Sequence, residues 1–380
     1  MAGARRPPWS LIVPRSFVMQ LTRRFAIAAF AAGLLLSACS DQGGGQSALK
    51  PVRIISGGAE VNGEYVPGGL SGVVAEQGWL KAELAKLGYD LQFQDMPHAI
   101  GGPMINEGFV NRTVEFAWYG DLPAVIGASA GAPLRLVWPS NAGTNTYLLV
   151  AAGSPARSLA DLKGKRIALH RGRPWEAVFA RYAADAGFRL DDFRIYNVNP
   201  SAGAAALAAG KVDAFVGPIA DAYRLQSQGA GRVLWSTKGA PRAWAQRTEL
   251  FGRDDFIKEN PKAAELVVAA YARAALWASK DENRDAYIAA ASRETPEAAI
   301  RLDWDDGTSW KQRFSPFTTD GIDSHYQWVV DYAAETGLIK VKPDLGRFTN
   351  TDLVAPAVKL AGAEGWWPAA SRLASAAAAP

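Results

Sequence analysis

Short apolar runs alternate along this chain with longer stretches of helical spacing. Val52-Arg53-Ile54-Ile55, Leu91-Gln92-Phe93 and Val114-Glu115-Phe116-Ala117-Trp118 read as strands. Between the first two, Gly57 to Gly69 reads as a glycine-rich loop, and Val74, Trp79, Leu80, Leu84 and Leu87 predict a helix from about Ser71 to Lys86. Gly88 stops that helix, as a glycine just past a helix end does. The same grammar returns further on. Thr146 to Ala151 and Arg166 to His170 read as strands, with a turn at Asp161-Leu162-Lys163-Gly164-Lys165 between them. A helix opens at Pro174, with Trp175, Val178, Phe179 and Tyr182 as its apolar positions. Ser201 is placed to cap a helix that Gly210 ends; Val212 to Val216 is a strand, and Gly217-Pro218 opens the next helix. The last third is mainly helical. Asn260 and Pro261 are a good N-cap and first helical residue for a helix to about Ser279, and Ile322, Tyr326, Val329, Val330 and Ala333 form a stripe ended by Gly337. Strands alternating with helices predict an α/β fold with mainly parallel sheets.

One pattern occurs twice. Val114-Glu115-Phe116-Ala117 leads to Gly120 and Pro123; Val212-Asp213-Ala214-Phe215 leads to Gly217-Pro218. In both, an apolar strand with an acid at its second residue runs into a glycine and a proline at a helix start. Two similar α/β lobes would produce this echo.

The beginning of the chain has another character. Arg23-Arg24 precede an uncharged run, Phe25 to Leu36, and then Leu36-Ser37-Ala38-Cys39. The run is about half the length needed to cross a bilayer, so the layout predicts a secretory signal peptide over residues 1–38. Met19 reads as a better start than Met1. The four residues ending in Cys39 resemble the lipobox of bacterial lipoproteins, which implies cleavage before Cys39 and attachment of lipid to it. Residues 39–50, with their Gly and Ser, then read as a flexible tether, and the Ala-rich residues 371–380 as a disordered tail.

Charge and chemistry change the picture by exclusion. The chain has 41 Lys and Arg against 37 Asp and Glu. Five arginines (Arg5, Arg6, Arg15, Arg23 and Arg24) and no acid lie in residues 1–38, so the remainder is nearly neutral and gives no reason to expect a nucleic-acid partner. With Cys39 lipidated, the chain has no cysteine left for a disulfide or a nucleophile. His98, His170 and His325 are far apart in sequence, which argues against a metal site. No phosphate loop or HExxH is present. The expectation is a binding protein without cofactor or metal, not an enzyme.

Several patterns together resemble the periplasmic substrate-binding proteins of nitrate/sulfonate/taurine-type ABC importers. They are Gly153-Ser154-Pro155, Asp161-Leu162-Lys163-Gly164-Lys165-Arg166-Ile167-Ala168, Ala206-Leu207-Ala208-Ala209-Gly210-Lys211-Val212-Asp213-Ala214, and Tyr326-Gln327-Trp328 with Asp331 and Glu335-Thr336-Gly337-Leu338-Ile339. The resemblance covers most of residues 51–340. It implies a type II clamshell of two lobes, residues 51–146 plus 246–370 and residues 147–245, each a mixed, mainly parallel sheet flanked by helices. The chain would cross between lobes near Thr146–Leu149 and Trp244–Arg247 and act as a lipid-anchored monomer on the periplasmic side of a membrane. It would capture a small organic anion, an organosulfonate first among them, and deliver it to permease and ATPase subunits. Three alternatives stay open: a sensor or adaptor subunit, a binder of an uncharged heterocycle, and an enzyme like the pyrimidine-precursor synthases on this fold. That last group depends on a cysteine-rich motif that this chain lacks.

In such folds ligands bind at the carboxyl ends of strands, where helix N-termini offer free N–H groups to an oxyanion. The strand ends are Gly57-Gly58, Tyr119-Gly120-Asp121, Arg171-Gly172-Arg173 and Gly217-Pro218. The Arg171-Gly172-Arg173-Pro174 turn is the strongest single candidate, because a guanidinium can grip an oxyanion with two bonds. Family members often have a Gly-Ser/Thr pair here; this chain has arginine and proline instead. Tyr65, Trp118, Tyr119, Tyr147, Trp175 and Trp304 are candidate aromatic walls, with Tyr119 and Trp175 favoured for the site and Trp118 for the core. Asn62, Glu64 and Asn145 are polar candidates, and His170 lies beside the arginines.

Overall fold

The computed structural model describes residues 49–96, 101–140, 142–318 and 321–368. The expected signal peptide, Cys39, most of the tether, His98 and the Ala-rich end lie outside these residues. Twelve strands are found among the described residues: β1 (Lys50–Ser56), β2 (Gly58–Val61), β3 (Glu64–Pro67), β4 (Tyr89–Asp95), β5 (Phe116–Gly120), β6 (Leu134–Trp138), β7 (Tyr147–Ala151), β8 (Arg166–Leu169), β9 (Arg194–Tyr196), β10 (Ala214–Gly217), β11 (Gly231–Ser236) and β12 (Thr248–Arg253).

Ten of them form two five-stranded sheets, one per lobe. The first has the order β4-β1-β5-β12-β6, the second β11-β7-β10-β8-β9. In the first, β1 runs parallel to β4 and β5, while β12 runs against β5 and β6. In the second, β8 runs parallel to β9 and β10, while β7 runs against β10 and β11. Each sheet is thus parallel except for the strand with which the chain enters from the other lobe. This is a two-lobe, mixed and mainly parallel α/β fold.

Both faces of each sheet are covered. In the first lobe Val52, Ile54 and Phe116 pack with the helix Pro261–Ala278 on one side. Ile55, Ala117 and Tyr119 pack with the helix Ile322–Glu335 on the other. The second sheet separates a cluster containing Leu148, Ile167, Phe179 and Val216 from one containing Leu149, Ala168, Phe215 and Leu225. Strands buried on both faces read as continuous apolar runs, which is how they read here.

The sequence echo has a structural cause. Glu115 accepts from the backbone N–H of Arg53 at 2.8 Å and pairs with its guanidinium at 2.8 Å. Asp213 accepts from the N–H of Arg166 at 2.8 Å and pairs with its guanidinium at 3.0 Å. In each lobe an acid just before one strand clamps an arginine of the adjacent parallel strand, pinning their register.

Local departures from the sequence reading have local reasons. The helix expected over Ser71–Lys86 is two, Gly69–Gln77 and Trp79–Lys86, because Gly78 between them is left-handed at φ 64°. The expected loop Gly57–Gly69 contains a hairpin, β2–β3, whose turn is Asn62-Gly63 with φ 52° and 82°. Asn-Gly between strands is the strongest short-range hairpin signal, since both residues tolerate positive φ. β5 lies two residues later than expected. The helix Pro200–Ala208 is capped by Asn199, which accepts from the Ala202 N–H, and not by Ser201.

The two crossings lie side by side. The Thr144 N–H donates to the Gln246 carbonyl at 2.7 Å, and Thr237 binds Thr146 through both backbone and side chain. The end of the helix Glu297–Trp304 and the residues just after it fasten both. Tyr147 donates to the Asp303 carboxylate at 2.6 Å and Asn145 to the Asp303 carbonyl at 3.2 Å. Asp306 forms an ion pair with Arg242 at 2.9 Å and a hydrogen-bonded pair with Arg313 at 2.7 Å.

Candidate functional site

A cavity of about 310 Å³ opens at the carboxyl ends of β1, β5 and β6. Its floor is Ser56-Gly57 and the first residues of the helix Gly69–Gln77. Its walls are Trp118, Trp138, Tyr287, Trp304 and Phe314, and its rim is formed by Ser140, Ala142–Thr144 and Thr248 next to the crossings. The lining residues all come from the first lobe. They converge from separated segments because parallel strands end on one side of the sheet and the late helices fold back over them.

The floor is rich in backbone polarity. Gly68, the N-cap of Gly69–Gln77, brings no side-chain cap, so the first-turn N–H groups are not satisfied from that position. Gly69 has φ 53°, a conformation that needs glycine. The Gly68 N–H donates to the Gly57 carbonyl at 2.8 Å, tying the helix start to the end of β1. Tyr65 supports this floor from below: its hydroxyl donates to the Ser56 carbonyl at 2.7 Å, and burial pushes the phenol up to about 12.

Charge on the wall comes from two residues. Arg313 is buried, stacks over Trp304 at 4.8 Å and donates to the Trp304 carbonyl at 3.0 Å as well as to Asp306. Glu294 is exposed on the wall, and its carboxylate lies against the Cα of Gly57, where any Cβ would overlap it. A second cavity, of about 360 Å³, adjoins through Glu294. It is lined by Glu294 and Pro296 on one side and by Ser201, Asp221, Tyr223 and Arg224 of the second lobe on the other.

The sequence candidates fall in several places. Gly57, Trp118 and Trp304 line the first cavity. Gly58 lies under the Tyr65 ring, and Asn62 and Glu64 are exposed at the hairpin tip. Trp118 and Tyr119 exchange the places expected of them. Trp118 reaches the cavity, while Tyr119 is 2% exposed on the opposite face, packed on Phe251 and bonded to Asn106. With both sheet faces buried, alternation fixed their opposition but not which side bore the cavity. Gly120 touches Pro174 across the lobes. Asp121 accepts from the Arg247 N–H at 2.9 Å and lies 2.8 Å from His325 Nε2, so it braces the second crossing. Asn145 and Tyr147 brace the first.

The Arg171–Pro174 turn lies outside the first cavity. Glu176, fully buried, accepts from Arg171 Nε at 2.9 Å and from the Gly172 N–H, so an internal carboxylate holds the first half of the turn. Arg173 lies against Gly101, with its Nε 3.4 Å from His170 Nδ1; burial and this guanidinium hold the imidazole below its ordinary pKa. Trp175 packs into the second lobe's core. Gly217 ends β10 under the Phe215 ring, with Pro218 as the N-cap of Ile219–Ser227. The residues that sequence reading passed over are Trp138, Tyr287, Glu294 and Arg313. Nothing in their local sequence sets them apart.

Among the described residues no group of three or more His, Cys, Asp or Glu side chains is placed to hold a metal ion. No described helix is long and apolar enough to cross a membrane.

Comparison with known proteins now decides the family. Residues 105–284 match the family model described as NMT1/THI5 like. A solved structure from Methylobacillus flagellatus KT, assigned as the periplasmic sulfonate-binding protein SsuA of a sulfonate ABC transporter, is 40% identical. It covers 86% of this chain and 99% of its own, with a TM-score of 0.75. The chain belongs to this family of periplasmic binding proteins. The aliphatic sulphonate binding protein SsuA of Escherichia coli shares the fold at 21% identity, covering 79% of this chain and 92% of its own, with a TM-score of 0.63. A sulfonates-binding protein of Escherichia coli K12 is 31% identical over 136 residues, which are 35% of this binding protein and span only 42% of that relative.

Proposed function

We propose that this protein captures an organosulfonate between its lobes and delivers it to an ABC permease, held at the membrane by lipid on Cys39. The observation that carries the reading is the helix start at Gly69–Ser71, without a side-chain cap, on the floor of an aromatic-walled cavity. N–H groups at a helix start suit an oxyanion, and tryptophan faces suit an organic tail. The 40% identity to a sulfonate-binding relative supports the same choice. The Arg171–Pro174 turn, which lies outside this cavity and meets the first lobe at Gly120, is the other candidate for the anionic head.

A thermal-shift screen of sulfonates, nitrate, carboxylates and neutral heterocycles tests this. A sulfonate at about 100 times its dissociation constant should add roughly 2.7 kcal/mol, raising the midpoint by about 5 °C. Trp304→Ala should weaken that sulfonate by at least about tenfold, and Arg173→Ala by less than about threefold. The reverse order would move the site to the turn, and an uncharged best ligand would end the sulfonate reading.

The anchor is tested separately. Cys39→Ser should abolish incorporation of labelled palmitate and release the protein to the soluble periplasmic fraction, because the several acyl chains of a lipoprotein cysteine supply the membrane affinity. Equal labelling of both forms would refute it.

A further inference from the structure

We infer that the helix Glu297–Trp304 is a third link between the lobes. It is held by the second lobe and carries Trp304 into the wall of the first-lobe cavity, so the angle between the lobes sets the position of that wall.

The attachments to the second lobe follow one another along the helix. After β12 the chain is back in the first lobe, yet Ala299, with no exposed surface, belongs to the second lobe's apolar cluster with Phe215, Ile219, Ala222 and Leu225. The helix packs there against Ile219–Ser227. The Leu302 carbonyl accepts from Lys238 Nζ at 2.6 Å, and Lys238 lies just beyond β11. The Asp303 carboxylate accepts from Tyr147, the first residue of β7, at 2.6 Å. Toward the first lobe the helix packs on Arg284–Ala291 and carries the exposed pair Arg301–Asp285 at 2.8 Å, and an exposed pair contributes little.

The next residue, Trp304, is packed against the first lobe's core. Its ring stacks on Tyr287 at 5.9 Å and meets the edge of Phe314, and Arg313 lies over it at 4.8 Å. Consecutive Cα atoms are about 3.8 Å apart, so there is no slack between Asp303 and Trp304. Rotation about the strand crossings moves the second lobe as a body. Ala299, Leu302 and Asp303 move with it, and Trp304 is drawn off Tyr287 and Phe314. The wall is therefore complete in one arrangement of the lobes, and ligand affinity falls with the fraction of molecules that hold it. Lys238, Tyr147 and Ala299 act through Trp304 as positioning residues. The coupling is the same whichever ligand the cavity takes, so it is tested without one.

In a Cys39→Ser background, which removes the chain's one cysteine, nitroxide pairs are placed at exposed positions by Ala298→Cys on this helix, Gln226→Cys on the second lobe and Lys81→Cys on the first. Pulsed electron resonance then gives three distance distributions. The 298–226 distance should be narrow, while 298–81 and 226–81 should spread alike and be at least about twofold wider, as rotation of one body against another requires. A narrow 298–81 distance beside a wide 298–226 distance would place the helix with the first lobe and overturn the inference. Three distributions of equal width would overturn it too, because the helix would then follow neither lobe or the lobes would not move. The effect on the wall is read by fluorine resonance of protein carrying 5-fluorotryptophan, with Trp304 and Trp79 assigned by the signals lost in Trp304→Phe and Trp79→Phe. Lys238→Met cuts the tie at Leu302 without touching the cavity lining. It should shift or split the Trp304 signal and leave that of Trp79, on the first lobe, in place. A Trp304 signal unmoved by Lys238→Met would refute the coupling.

Discussion

Glu249→Leu is expected to lower the melting midpoint by roughly 10 °C, the result of losing about 3–5 kcal/mol. Glu249 lies on β12 with no exposed surface and is the centre of a buried polar cluster. Its carboxylate accepts from the Ser140 N–H at 3.0 Å and from the Tyr326 hydroxyl, and it lies 3.5 Å from the Arg247 guanidinium, which is itself bonded to the Ser140 carbonyl. Burial raises the pKa of this carboxyl, against the pull of Arg247, Tyr326 and Ser140. Leucine fills a similar volume but leaves a buried guanidinium, a phenol and an amide without their acceptor, and each carries its full desolvation cost. Ser140 is on the cavity rim, so ligand affinity should fall along with stability. Glu249→Gln, which keeps one acceptor, should recover part of the loss. A leucine variant that melts within about 2 °C of wild type would show that the cluster contributes little.

Asp306→Asn should cost about 3 kcal/mol and loosen the hinge. The carboxylate is 1% exposed and serves both lobes: Arg313 beside the cavity on one side, Arg242 before the second crossing on the other. Burial alone would raise its pKa, but the Thr308 N–H and the two guanidiniums outweigh burial and hold it below the ordinary aspartate value. The sign of the pH effect follows. A depressed folded pKa contributes stability that is complete above the unfolded value, near pH 4, and is lost as pH falls through the folded one. Wild type should lose this contribution only below about pH 4, whereas Asp306→Asn should lack it at every pH. The stability difference between the two should therefore shrink on acidification, read by denaturant melts from pH 7 to pH 3. Small-angle scattering should show a larger radius of gyration for the variant without ligand. A difference that stays constant with pH would assign the loss to packing and not to charge.

Much of the architecture was legible because it is local. The acids Glu115 and Asp213 stood out at matching places in two strands, and the structure gives both the same task of clamping an arginine on the neighbouring strand. Gly88, Gly210 and Gly337 marked helix ends and all have positive φ. Asn62-Gly63 was equally legible as a hairpin, and reading it as loop overlooked a turn whose φ values the residue types themselves demand. Gly78 was harder. A single glycine inside an apolar rhythm either is tolerated or breaks the helix, and here Gly78 takes the left-handed backbone that breaks it.

What the sequence by itself determined is therefore the alternation of strand and helix, the two-lobe repeat, the family, and the likeness of the first residues to a lipoprotein signal. Each is written in patterns spanning a few residues, where period, φ preference and capping act directly. Tertiary structure decided the rest of the site. Whether Trp118 or Tyr119 met the cavity depended on which covered face of the sheet the late helices left open. Glu176, buried and five residues on from Arg171, takes bonds from Arg171 Nε and the Gly172 N–H, a pairing that no local pattern announced. Glu294 and Arg313 became wall residues because the chain returns to the first lobe after building the second, bringing side chains more than 200 positions apart over the same strand ends.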